Sequence, residues 1–181
     1  MQLFADISHL NSWIPKAKEG DRRAQKAIYD ALSGKMYAVC LRYMGDRLSA
    51  EDVLQEGFVT LFAKLDTFSG EGSFEGWARK IFVNTALMSL RKNDLLKDST
   101  DVDTAWNVSS DAPSAIQQIS LKELERAIAE LPPGFRTVFN MYVVEGYSHA
   151  EIAGQLGISE ATSRSQLLRA RALLQAKIGK H

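Results

Sequence analysis

Along this 181-residue chain the apolar residues return every three or four positions, and the strict alternation of a half-buried strand is missing. The pattern predicts an all-α protein. After Ser49, the residues Leu54, Phe58, Leu61, Phe62 and Leu65 fall along one side of a helix, which should face inward. After Ser120 a second stripe, Leu121, Leu124, Ile128 and Leu131, stops at Pro132-Pro133-Gly134, where proline removes an amide donor and disfavours helix in the residue before it. A new helix is expected from about Phe135, with Val138, Phe139 and Tyr142 on one side and Gly146 at its end. Ser49 with Asp52, Ser120 with Glu123, and Ser148 with Glu151 have the spacing of a capping box, in which a hydroxyl and a carboxylate satisfy orphan amides of the first turn.

Helical periodicity lapses between Asn93 and Ile116, where Asp, Ser and Thr gather around Pro113. This divides the chain into residues 1–95, a linker at 96–116, and residues 117–181: two small helical domains on a flexible acidic tether. Charge sharpens the division. The whole chain balances 22 basic against 22 acidic residues, which by itself argues against a phosphate-rich partner. By segment, residues 1–95 hold 13 basic and 12 acidic residues, residues 96–130 hold 3 and 7, and residues 131–181 hold 6 and 3. The zero is a sum of unlike parts, and the basic excess sits at the C-terminal end.

Composition removes several classes. Apolar residues at 45% and charged residues at 24% suit a folded chain and not a disordered one. The single cysteine, Cys40, closes no internal disulfide, and with His9, His149 and His181 it makes no zinc-ligand set, so neither metal nor cofactor is expected. Cys40 has no histidine nearby in sequence and the acids form no metal-like cluster, so the chain is not expected to be an enzyme. It contains no run of 18 apolar residues and no signal-peptide pattern at its start, which makes the reducing cytoplasm the expected setting.

The most informative stretch is SHAEIAGQLGISEATSRSQLLRARALLQAKIGK. Ser148 opens a short helix containing Ile152, Ala153 and Leu156, Gly157 suits a turn with positive φ, Ile158 fills the joint, and Ser159 caps a second helix. This is a helix-turn-helix in outline. On the second helix Ser163, Leu167, Ala170 and Leu174 form the packing side, while Thr162, Ser165, Gln166 and Arg169 make a hydrogen-bonding side suited to base edges in a major groove. Arg164 and Arg171 share a flank suited to phosphates. An ordinary solvated helix face is the alternative. His149 reads as an exposed first-turn residue and not as a ligand.

The first domain carries two further polar strips. Asp52, Gln55, Glu56 and Val59 lie opposite the apolar stripe of their helix, as a docking face or a solvated one. In residues 74–92, Phe74, Trp77, Ile81, Thr85 and Met88 read as the core side, and Lys80, Asn84 and Arg91 as a polar side. The loop before it, TFSGEGS, combines a phenylalanine, hydroxyls and two glycines, a composition that can form a small pocket or a flexible surface turn.

Taken together, EDVLQEGFVTLFAKLDTF, SFEGWARKIFVNTALMSLRK and LPPGFRTVFNMYVVEGYSHAEIAGQLGISEATSRSQLLRARALL resemble the second and fourth conserved regions of the extracytoplasmic-function (ECF) sigma factors of bacterial RNA polymerase. The resemblance covers nearly the whole chain. It implies a transcription initiation factor that binds core RNA polymerase, on the clamp helices of the largest subunit and on the flap, and directs it to promoter DNA. It places Asp52, Gln55 and Glu56 against the clamp. It places Phe68, Ser69, Lys80, Asn84 and Arg91 on the melted strand of the downstream element, where a base flips into the loop pocket. Thr162, Arg164, Ser165, Gln166, Arg169 and Arg171 would meet the upstream element as duplex. The linker would run toward the RNA exit path. An anti-sigma factor is the implied regulator, able to hold the chain at the inner membrane, and no small-molecule substrate is implied. Three residues depart from the family pattern: Met88 replaces a usual Asp, Ser163 a usual aliphatic residue that would seat the recognition helix more firmly, and Gln166 a usual basic residue, with an amide that pairs well with adenine. The rivals are a helix-turn-helix regulator acting without core polymerase, dimeric on palindromic half-sites, and a DNA-processing enzyme, for which no catalytic constellation is visible.

Overall fold

A computed structural model describes residues 10–93 and 121–178. In chain order the helices are α1 (Leu10–Lys18), α2 (Arg22–Met44), α3 (Arg47–Ala63), a 3-10 turn (Leu65–Thr67), α4 (Phe74–Lys92), α5 (Leu121–Ala129), α6 (Pro133–Phe139), a π-helical turn (Asn140–Val144), α7 (His149–Leu156) and α8 (Glu160–Ile178). No strand occurs among the described residues, and the fold is all-α. The chain forms two compact units. The first gathers the described residues up to Leu41 together with Asp46–Ser89, and the second gathers Arg42–Gly45 with the described residues from Leu90 onward. Ser120 and the linker at 96–116 lie outside the described residues.

In the first unit, Ala24, Ile28, Leu32, Met36, Val39 and Cys40 are buried along α2 at helical spacing. Burial pushes the Cys40 thiol up to about 12, which leaves it a small apolar core residue with no thiolate to react. Of the expected α3 stripe, Phe58 and Leu61 are buried, Leu54 and Phe62 are only half-buried, and Leu65, also buried, lies beyond the helix in the 3-10 turn; the buried side of α3 runs through Ala50, Val53, Gly57, Phe58 and Leu61. Phe58 joins three helices: its ring centroid is 4.5 Å from that of Tyr29 on α2 and 5.0 Å from that of Phe82 on α4. Gly57 lets α3 and α4 approach here, because a Cβ at this position would sit 2.3 Å from the Phe82 ring.

Two expectations in this unit need correcting. Helix α3 is capped by Asp46, whose carboxylate accepts from the Ser49 amide at 2.9 Å, so Ser49 lies inside the first turn and forms no capping box with Asp52. Gly45, at φ +80, breaks the chain just before, so the cap is the first polar residue available after the turn. On α4 the core side is Phe74, Ala78, Phe82, Val83, Ala86 and Leu87, with Thr85 also buried; Trp77 and Ile81 are only half-buried and Met88 is 64% exposed. Counting only the large residues displaced the stripe, since Ala78 and Ala86 fix its true centre.

In the second unit, Ala127, Ile128, Leu131, Phe135, Ala170 and Leu174 form one core, flanked by Leu124, Phe139, Leu173 and Ile178. Pro133 occupies the first turn of α6, where a missing N–H costs nothing. Arg136 ties this turn to α5 by donating from Nη1 to the carbonyls of Ala129 (2.6 Å) and Leu131 (3.2 Å). The single helix expected up to Gly146 instead widens into a π turn, closed by Glu145 N–H on the Asn140 carbonyl at 3.0 Å. The extra residue shifts the helical phase. Val138 stays in the core while Tyr142, expected on the same side, turns toward solvent.

Candidate functional site

Three exposed helix faces carry the residues singled out in the sequence. On α3, Asp52, Gln55, Glu56 and Val59 are all exposed, opposite the buried Val53, Gly57 and Leu61. The face is longer than the polar residues alone suggest. Leu48, 76% exposed, stands one turn before Asp52, and Val59, 71% exposed, one turn after Gln55, so two apolar side chains bracket the acid-and-amide strip. Leu48 was missed because a leucine beside a helix start reads as core.

On α4, Lys80, Asn84 and Arg91 are exposed as expected, and Met88 lies among them. The preceding loop is built by short local bonds. The Ser73 hydroxyl accepts from the Gly76 amide at 3.2 Å and so caps α4, the Ser69 hydroxyl accepts from the Glu71 amide at 3.3 Å, and Gly70 and Gly72 take φ of +85 and +76. Ser69 is exposed. Phe68 is not. It is 6% exposed, with its ring 5.1 Å from that of Phe74 and 5.3 Å from that of Trp77, and Lys18 Nζ donates to its carbonyl at 2.9 Å. The expectation of Phe68 as a ring presented on the loop surface is therefore corrected: the ring lies beneath the loop, held there because burying an aromatic among aromatics outweighs its exposure on a turn.

On α7 and α8 the local chemistry follows the sequence closely. The Ser148 amide donates to Glu151 Oε2 at 2.8 Å, the Ser148 hydroxyl donates to the same oxygen at 2.7 Å, and the Glu151 amide donates back to Ser148 Oγ at 3.3 Å, a complete capping box. These bonds, the backbone one foremost, hold the Glu151 carboxyl below its usual range. Gly157 takes φ +68 and donates to the Ala153 carbonyl at 2.9 Å, ending α7. Ser159 caps α8 by accepting from the Thr162 amide at 3.0 Å, and its hydroxyl also meets Thr162 Oγ1 at 2.8 Å.

The register of α8 revises the set of candidate contacts. Ser163, Gln166, Leu167, Ala170 and Leu174 are the buried side, so Gln166, 5% exposed, packs beside Leu167 and does not face outward. The polar series Thr162, Ser165, Gln166, Arg169 spans the boundary between the two sides, and a flexible, partly apolar glutamine went to the core edge. Arg164, Ser165, Arg169 and Arg171 are exposed and Thr162 half-exposed, with Arg164 paired to Glu160 one turn back at 2.6 Å. At the centre of this outward side sits Leu168, 60% exposed, which the sequence reading did not single out.

Ser163, the apparent weak point in the packing of α8, has a partner. It is fully buried, and its hydroxyl lies 2.9 Å from His149 Nδ1, while the His149 ring stacks on Tyr142 at 4.5 Å and 23°. His149 is thus no bare surface residue. It bridges the two helices of the motif, replacing an apolar contact with a hydrogen bond.

Comparison with known proteins agrees with these features. The sigma-70 region 2 family matches residues 28–95 and the sigma-70 region 4 family matches residues 121–174. The ECF RNA polymerase sigma-E factor of Haemophilus influenzae is 27% identical over 177 residues, covering 91% of this chain and 93% of that protein. The sigma-E factor of Escherichia coli is 28% identical over 178 residues, covering 91% and 92%. The sigma factor RpoE of Bartonella quintana, solved with the anti-sigma factor NepR, aligns with a TM-score of 0.52 at 22% identity over 86% of this chain and 96% of that one, a likeness of fold. Region 2 followed by region 4 defines a sigma factor of the sigma-70 class. Within that class the chain belongs to the ECF group, and it is a transcription initiation factor that directs RNA polymerase to promoters.

Proposed function

We propose that the three faces divide the work of initiation among them. Asp52, Gln55 and Glu56, with Leu48 and Val59 at either end, dock on the clamp helices of the largest polymerase subunit. Ser69, Lys80, Asn84 and Arg91 hold the melted strand of the downstream element, with Phe68 as the floor of the loop that receives a flipped base. Thr162, Arg164, Ser165, Arg169 and Arg171 meet the upstream element as duplex, and Gln166 supports that helix from behind. The functional division runs 1–95, 96–116 and 117–181, with the acidic linker directed toward the RNA exit path and the C-terminal domain also touching the flap.

The observation that carries this reading is the pairing, in one chain, of an outward acid-and-amide face on α3 with an outward arginine-rich face on α8. A regulator working without polymerase has no use for the first and is not favoured, since a region 2 match spans residues 28–95. The chain acts as an adaptor and leaves catalysis to the polymerase. No helix among the described residues is long and apolar enough to cross a membrane. As a promoter-directing factor, the chain is proposed to act in the cytoplasm, with the chromosome. An anti-sigma factor is the proposed regulator; the Bartonella quintana protein was solved with one.

The test is transcription in vitro from genomic fragments with active core polymerase. Transcripts that start at specific promoters only when the chain is added support the proposal. Their absence, with a core that transcribes normally with another sigma factor, overturns it.

A further inference from the structure

We infer that Leu168 reads the 5-methyl group of a thymine in the major groove of the upstream element. The inference rests on the proposal that α8 meets that element as duplex. The outward side of α8 runs through Ala161, Arg164, Ser165, Leu168 and Arg171, residues that are exposed and fall three or four apart. Leu168, 60% exposed, is the one large apolar side chain on it.

A lone leucine on a protein surface carries no message. Here position and charge supply one. Arg164 lies one turn before Leu168 and Arg171 one turn after, so cationic groups suited to phosphates flank the leucine along the helix. A helix anchored by such contacts brings the residue between them to the base edges. In a B-form major groove the group that rewards an aliphatic side chain is the thymine methyl, because the remaining edge atoms are hydrogen-bond donors and acceptors. The burial of Gln166 fits the same arrangement. It withdraws the amide that would have read adenine from its purine edge, and an A·T pair can still be recognised from the thymine side by Leu168.

The experiment removes that methyl and nothing else. Holoenzyme is reconstituted from core polymerase and the full chain, and its binding to a promoter it transcribes is measured with each upstream-element thymine replaced in turn by deoxyuridine. One position should weaken binding about three- to tenfold, as expected for withdrawing a buried methyl group from an apolar contact. Leu168→Ala should weaken binding to the thymine duplex by a similar factor, and deoxyuridine at that position should then cost nothing more. Leu168→Met, which keeps an aliphatic reach, should retain most of the discrimination. Because Leu168 is exposed, these variants should melt like the parent chain.

The inference is overturned if no deoxyuridine matters, or if Leu168→Ala keeps the full deoxyuridine penalty. Failure of the parent holoenzyme to bind any duplex specifically overturns the functional reading itself, and this inference with it.

Discussion

Helices α3 and α8 are alike as frames and opposite as surfaces. Each buries one side, through Val53, Gly57 and Leu61 on α3 and through Ser163, Leu167, Ala170 and Leu174 on α8. Each leaves a strip outward that includes a bare leucine, Leu48 or Leu168. What differs is the charge around that leucine. On α3 it is followed by Asp52, Gln55 and Glu56, and on α8 it is flanked by Arg164 and Arg171. Under the proposed division of work, the same helical geometry serves a protein partner on one helix and a nucleic acid on the other, and the sign of a few side chains decides which. A chain with no net charge can carry both faces, which is why the total of 22 against 22 says so little.

The comparison can be broken most severely by reversing the sign of one face. Gln55→Lys with Glu56→Lys should abolish co-elution with core polymerase, because like charges brought together at an interface cost several kcal/mol. Thermal melting should show that the fold survives, since both residues are exposed. On the other helix, Arg169→Ala should weaken upstream-duplex binding by roughly 1 to 3 kcal/mol if it reads a guanine, and leave core binding unchanged. Loss of core binding instead would place Arg169 in folding or docking.

Two smaller changes test the frames beneath the faces. Gly57→Ala forces a Cβ to within 2.3 Å of Phe82 and should destabilise the first unit by about 1 to 3 kcal/mol in a denaturant titration. Gly157→Ala meets no neighbour, so its cost should be that of the left-handed backbone alone, about 1 to 2 kcal/mol, read in the melting of the helix-turn-helix.

The smallest expected effect is on acidity. Glu151 has its carboxyl held down by Ser148, so its capping contribution is complete above the ordinary glutamate range and is lost as pH falls through the lowered value. Relative to the intrinsic exchange rate at each pH, the amides of the first turn of α7 should lose protection as pH falls, and Glu151→Gln should remove most of that pH dependence.

Much of this was legible before any coordinates. The capping box at Ser148, the left-handed Gly157 and the Ser159 cap were readable because local hydrogen-bond chemistry dictates them residue by residue. The exposure of Asp52, Gln55 and Glu56 followed from the stripe on the other side of their helix. What failed had a different cause. The α4 core was misplaced because alanines weigh little in a count of apolar residues yet sit where helices approach most closely. Phe68 and Gln166 were expected at the surface from their neighbours in sequence, and tertiary packing took both inside. The His149–Ser163 bond joins residues fourteen apart on two helices, and no periodicity reports such a pair.

The contrast between the two faces can be tested at residue resolution by placing a photo-crosslinking amino acid at Val59 or at Leu168 in holoenzyme assembled on promoter DNA. At Val59 the account expects adducts with the largest polymerase subunit and none with DNA; at Leu168 it expects adducts with the upstream element. Adducts to DNA from Val59, or to polymerase alone from Leu168, would contradict it.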